Sequence, residues 1–296
     1  MGETMMRLRL SALWALVCLP AHAEIVVTDA SGASIKLAAP ARRIVSLAPN
    51  ITELLFAAGA GDRVVGNVDF GNYPPAAKAL PKVGGYSLDL EAIVALNPDL
   101  VMGWESGNAP ASISRLRAMG LTVHLSESKR IEDIAGELEQ IGKLAGTEAT
   151  AKAAANAFRE RYAALATRFS QRPPVTVFYQ IWKQPLMTVN GKQIISDVIR
   201  LCGGRNVFTN LPALTPNVSV EAVITANPEV VVASGMDDSR PEWLDDWRRW
   251  TTLAAVRRDN LYFVPPDVVQ RHTPRILDGA EILCAHLETA RGKRPR

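Results

Sequence analysis

Residues 88–103 read Leu-Asp-Leu-Glu-Ala-Ile-Val-Ala-Leu-Asn-Pro-Asp-Leu-Val-Met-Gly, and residues 218–233 read Val-Ser-Val-Glu-Ala-Val-Ile-Thr-Ala-Asn-Pro-Glu-Val-Val-Val-Ala. The two stretches stay in register, Glu221 standing 130 positions after Glu91. Each opens on a residue suited to cap a helix N-terminus, Asp89 or Ser219, with an acid at the second helical position, Glu91 or Glu221. A short apolar helix follows, stopped by Asn97-Pro98 or Asn227-Pro228, because a proline disfavours helical backbone in the residue before it. An apolar strand comes next. One such unit is ordinary α/β grammar; two at matching places predict two similar lobes.

Outward from the repeat, the pattern is consistent. Ile25-Val26-Val27 and Ser34-Ile35-Lys36-Leu37 flank the turn residues Ser31-Gly32 and predict a hairpin. Arg43 to Leu47 reads as a buried strand, Ala48-Pro49-Asn50 as a turn, Thr52 to Ala58 as a helix closed by Gly59, and Val64 to Gly66 as another strand. Apolar strands alternating with amphipathic helices predict an α/β fold of two Rossmann-like lobes with a ligand cleft between them. Between the halves, Glu148 to Phe169 contains neither Gly nor Pro and is rich in Ala, Arg and Glu. It predicts one rigid helix, roughly 33 Å long at 1.5 Å per residue. The boundaries are then 24–146 for the first lobe, 147–171 for the linking helix and 172–296 for the second lobe. The alternative is one more packed helix in a single domain.

The N-terminus carries Arg7 and Arg9, an apolar run from Leu10 to Leu19, Pro20, and the small-x-small triplet Ala21-His22-Ala23. This pattern predicts a secretory signal peptide over 1–23 and a mature chain from Glu24. The apolar run is too short to span a bilayer, which needs about 20 residues. Cys18 follows Val17 rather than a small residue, which argues against lipid attachment. Without residues 1–23 the basic and acidic residues nearly balance, so nothing favours nucleic acid. Cys202 and Cys284 remain, and two cysteines in an oxidising compartment invite one disulfide, worth roughly 4 kcal/mol by loop entropy. Two buried thiols are the alternative.

Motifs for catalysis are missing: there is no Gly-x-Ser-x-Gly, no His-Glu-x-x-His and no P-loop. Beyond the signal segment the histidines are His124, His272 and His286, and no two have metal-ligand spacing, so no metal site is predicted. His124 and His286 read as structural. Several aromatics fall in loops after predicted strands, where parallel sheets bind ligands: Tyr73, Tyr86, Trp104 and Trp182. Asp267 to Arg271 follows the strand Leu261 to Val264 and offers polar contacts. Such a set suits a flat, largely apolar ligand. Trp243, Trp247 and Trp250 recur at helical spacing and read as packing.

These residues carry a resemblance. The stretches Arg43 to Glu53, Asn72-Tyr73-Pro74-Pro75, Leu90 to Val101 and Trp104 with Gly107-Asn108-Ala109 resemble the helical-backbone class of substrate-binding proteins of ATP-driven importers. Cys202 to Phe208, Val218-Ser219 with Glu221, and Arg271 with Thr273-Pro274-Arg275-Ile276 extend the likeness, and within the class it is narrowest to the cobalamin-binding members. The resemblance implies that Tyr73, Tyr86, Trp104, Trp182 and the loop Asp267, Val268, Val269, Gln270 and Arg271 line a corrinoid pocket. It implies that Glu91 and Glu221 dock, one per lobe, onto an ABC permease dimer of the inner membrane, and that Cys202 pairs with Cys284. In a helix's first turn an acid also simply complements the helix dipole. The chain departs from the pattern at Thr215, where a tryptophan belongs, and at Val268-Val269, in an otherwise aromatic stretch. Reversible capture of cobalamin by a periplasmic monomer, without chemistry or a resident cofactor, is the expectation. Haem or a ferric siderophore is the rival within the class, with Tyr73, Tyr86 or His272 as iron ligand. A periplasmic hydrolase or corrinoid-processing enzyme is the rival outside it, and it lacks a nucleophile–base pair in the sequence.

Overall fold

A computed structural model describes residues 24–85, 87–235 and 239–295. The expectations for the signal segment 1–23 and for Tyr86 lie outside these. The chain opens on the predicted hairpin, β1 (Ile25–Thr28) against β2 (Ser34–Leu37), turning at Gly32 in the left-handed region. The first lobe follows: β3 (Ile44–Ser46), α1 (Pro49–Ala57), β4 (Val64–Gly66), α2 (Leu90–Ala95), β5 (Leu100–Trp104), α3 (Pro110–Ala118), β6 (Val123–Ser126) and α4 (Asp133–Ala145). The helix α5 (Glu148–Phe169) comes next. The second lobe holds β7 (Val175–Gln180), α6 (Ile194–Leu201), β8 (Gly204–Asn206), α7 (Val220–Ala226), β9 (Val230–Ala233), α8 (Ala254–Arg257), β10 (Leu261–Phe263), α9 (Pro266–Val269) and α10 (Ile276–Gly292).

Each lobe is built on a four-stranded parallel sheet, in the orders β4-β3-β5-β6 and β8-β7-β9-β10. Counting strands within each lobe, both sheets run 2-1-3-4. The repeat seen in the sequence therefore supplies the helix before the third strand in both. Its local grammar holds at atomic level. Asp89 accepts from the Ala92 amide at 2.9 Å and Ser219 from the Ala222 amide at 3.1 Å. Asn97 and Asn227 both adopt left-handed backbone, at φ 45° and 43°, a conformation asparagine tolerates better than most residues. Two expectations shift. The stretch read as a turn starts α1, because Pro49 is preset for the first helical position. The loop Asp267 to Arg271 likewise begins as a short helix behind Pro266.

Side-chain alternation along the strands divides the core. In the first lobe Ile44, Leu100 and Met102 face one way and Val45, Val101 and Val123 the other. In the second, Val175, Val177, Tyr179, Val230 and Val232 face one way, and Phe178, Val231 and Ala233 the other. The first face of each sheet joins one continuous apolar cluster that passes through Ala151, Ala155, Phe158, Leu165 and Phe169 of α5. The linking helix is therefore packed, not suspended. Gly142 of α4 makes the closest approach possible: a Cβ there would stand 2.5 Å from that of Ala151. Large side chains buried along this layer each stabilise it by about 1.5–3 kcal/mol, so the two lobes share one core on this side. Cys202, capping α6, is disulfide-bonded to Cys284 of α10.

Candidate ligand-binding cleft

A cavity of about 880 Å³ lies at the seam. The first lobe supplies Trp104 to Ser106 after β5 and Glu127 to Arg130 after β6. The second supplies Gly191 to Ile194, Asp197 and Arg200 around α6, with Leu214, Thr215 and His272. The first-lobe walls follow the carboxyl ends of parallel strands, where such sheets place ligands.

Trp104 is seated by its own loop. Its amide donates to Asn108 Oδ1 at 2.7 Å, and Asn108 Nδ2 donates to the Leu47 carbonyl at 2.9 Å. Gly107 lies under the indole, where a Cβ would come within 2.0 Å of the ring. The Trp-x-x-Gly-Asn pattern thus has a physical meaning: asparagine turns the loop back and glycine leaves room for the ring. The ring meets His272 edge-on at 5.4 Å between centroids. His272 is buried, and burial lowers its pKa below the ordinary histidine range against the opposing pull of Glu127, so the imidazole is neutral near pH 7. Trp104 Nε1, Ser128 Oγ and Asp197 Oδ2 have no hydrogen-bond partner among the described residues. Unpaired buried polar atoms are uncommon, and their presence on both sides of one cavity marks it as a place for a ligand with polar groups.

At the α5 side, Tyr162 donates to Glu132 at 2.7 Å and Arg130 donates to the same oxygen at 2.9 Å. Burial and the Arg130 charge lower the pKa of Arg200, which pairs with Asp197. At the other edge of the seam a second cluster joins the lobes. Glu53 of α1, 3% exposed, accepts from Arg271, Thr273 and Arg275. Arg271 also donates to Asn72 Oδ1 at 2.8 Å and pairs with Asp267 at 2.7 Å. The Arg275 guanidinium covers the Tyr73 ring at 3.8 Å.

The sequence-derived site residues therefore separate. Trp104 lines the cavity. Tyr73, 41% exposed and preceding a cis Pro74, sits with Asp267 and Arg271 in the ionic edge beside it, outside the lining. Val269 is fully buried in the core, and the Val268 carbonyl faces α10 at Gly279; neither lines the cavity, because α9 turns its apolar side inward. Gln270 donates to Ser234 Oγ at 3.1 Å. Trp182 is also outside the lining, its indole N–H tied to the Gln184 carbonyl at 3.0 Å. Glu91 and Glu221 are both exposed, one on each lobe at the same helical position. Backbone and Ser219 hydrogen bonds lower the pKa of Glu221. His124, bonded to Gln140, and His286, stacked on Tyr262, are structural as read. Of the three tryptophans read as packing, Trp247 is buried with its N–H on Gln180, whereas Trp250 is 37% exposed. Sequence reasoning missed Glu53, Glu127, Lys192, Asp197 and Arg200. Only the apolar stretch interrupted by Glu53 hinted at any of them, since a carboxylate among core residues needs partners.

The fold and this cleft have counterparts. Residues 44–268 match the family model described as periplasmic binding protein. A vitamin B12-binding protein of Vibrio parahaemolyticus is 38% identical over 259 residues, covering 86% of this chain and 92% of that one. The crystal structure of the periplasmic vitamin B12 binding protein BtuF of Vibrio cholerae superposes with a TM-score of 0.79 at 34% identity, over 85% of this chain and 98% of that one. The periplasmic heme binding protein HutB of Vibrio cholerae shares the fold with a TM-score of 0.72 at 21% identity, over 83% and 98%. The two-lobed architecture, the seam cavity and these likenesses together mean that the chain belongs to the periplasmic binding protein family, alongside the vitamin B12-binding proteins of Vibrio.

Proposed function

We propose that this protein is an exported periplasmic binding protein that captures cobalamin at the lobe seam and delivers it to an ABC importer of the inner membrane. The observation that carries the reading is the whole-length likeness, at 34–38% identity, to vitamin B12-binding proteins in a chain whose two lobes enclose a cavity of about 880 Å³. That volume lies at the upper end for small-molecule sites, as a macrocycle requires. Trp104 offers an aromatic face, and the polar groups of Ser128, Gln193, Asp197 and Thr215 suit amide side chains at a corrinoid edge. Tyr73, Asp267 and Arg271 at the ionic edge, with Tyr86, complete the recognition surface once a ligand engages that edge. The proposed lobes are 24–146 and 172–296, joined by 147–171, with residues 1–23 cleaved on export.

Absorbance and calorimetric titration of the purified protein with cobalamin and, separately, haem tests the ligand. Saturable cobalamin binding at micromolar protein supports the assignment; binding of haem alone rejects it. Glu91 and Glu221 are the proposed permease contacts, because two carboxylates on separate lobes can grip a two-fold partner. The Glu91→Ala/Glu221→Ala variant should keep its cobalamin affinity and lose cobalamin uptake in cells; normal uptake defeats the docking assignment.

A further inference from the structure

We infer that Glu53 is the positioning residue of the recognition edge: from the first lobe it fixes Arg271 and Arg275 of the second, and so presets both the lobe spacing and the orientation of the segment that carries His272 to the cavity. This deepens the cobalamin reading and rests on it for the ligand, but the latch itself rests on geometry alone. Glu53 sits in α1 among Ile51, Leu54 and Leu55, all within the core, so its carboxylate has little access to water. Its hydrogen bonds all cross the seam. Oε1 accepts from Arg271 Nη1 at 2.7 Å and Arg275 Nη2 at 2.8 Å; Oε2 accepts from Arg275 Nε and Thr273 Oγ1, both at 3.0 Å. Arg275 therefore binds both carboxylate oxygens through Nε and Nη2, a two-point geometry that among side chains only a carboxylate matches. A buried carboxylate needs such pairing, and two arginines need the carboxylate equally.

The consequence runs through the chain. Residues 271, 273 and 275 are anchored to one group, which holds the chain on both sides of residue 272, and its ring stands edge-on to Trp104. The same anchor keeps Arg271 within reach of Asn72 and Asp267, and places Arg275 over Tyr73. Arg271, Thr273 and Arg275 thus take their places from one side chain that is not itself part of the cavity lining.

The test pairs two readouts. Spin labels at Ser114→Cys and Thr252→Cys, both exposed and on different lobes, report lobe spacing without ligand; cobalamin titration reports recognition. Glu53→Gln, which preserves shape but cannot neutralise two guanidinium groups, should widen the spacing distribution and weaken cobalamin binding at least tenfold. Arg275→Gln leaves Glu53 its bonds to Arg271 and Thr273 and should fall between wild type and Glu53→Gln in both measures. Glu53→Gln with wild-type spacing and affinity overturns the inference, as does a narrowed spacing. If Glu53→Gln does not fold, the Arg275→Gln spacing decides the matter. A wild-type protein that ignores cobalamin would defeat the ligand assignment and leave the spacing arm to judge the latch.

Discussion

Breaking the Cys202–Cys284 bond should lower the melting temperature by about 7 °C without altering ligand affinity. The bond joins positions 82 apart, so the chain-entropy account assigns it about 4 kcal/mol, acting on the unfolded chain. Its thermal effect depends on how much of the protein melts with it. The apolar cluster containing Leu138, Phe158, Tyr179 and Leu283 runs through both lobes across α5, which predicts one cooperative transition. For about 270 residues at about 2.1 cal/mol/K each, the unfolding entropy is about 0.57 kcal/mol/K, and the loss converts to about 7 °C. Were the second lobe to melt alone, about 125 residues would give about 15 °C instead. Differential scanning calorimetry with and without a phosphine reductant, and on the Cys202→Ala/Cys284→Ala variant, measures this. A change below about 2 °C would refute the loop-entropy reasoning, and two separated transitions would refute the shared core.

Other expectations concern the site and the surface. Trp104→Ala should weaken cobalamin binding about tenfold, or about 1.4 kcal/mol, by removing an aromatic face; Trp250→Ala, outside the cavity lining, is the control, and equal effects would mean that Trp104 has no special place. Glu229 accepts from Arg258 at 3.0 Å and from Arg294 at 2.8 Å. Burial alone would raise its pKa, but hydrogen bonds from Arg294, the Thr176 amide and Arg258 outweigh that and lower it. A depressed carboxylate contributes stability above its unfolded pKa and loses it as pH falls through the folded value. Glu229→Gln should therefore cost stability near neutral pH and progressively less below about pH 4.5; a constant cost from neutrality into acid, measured by urea denaturation, would refute this.

What could be read from the sequence was what short-range physics decides. The N-caps at Asp89 and Ser219 act three residues away, and the left-handed stops at Asn97 and Asn227 are properties of one residue and the proline after it. The apolar period told strands from helices, and the absence of Gly and Pro marked α5 to the residue. Because the repeat is local, the two-lobed α/β plan followed from it. The Trp104 seat was half legible, since Gly107 and Asn108 are close in sequence. The ionic edge was not. Glu53 and Arg271 are 218 positions apart, and nothing near either residue specifies the other. Their meeting follows from how the helices of the two lobes pack against α5, and only that packing decides which charges are buried together. For the same reason Val269 proved to be core and Trp182 fell outside the cavity: a side chain's position in a loop does not say which way tertiary packing will turn it.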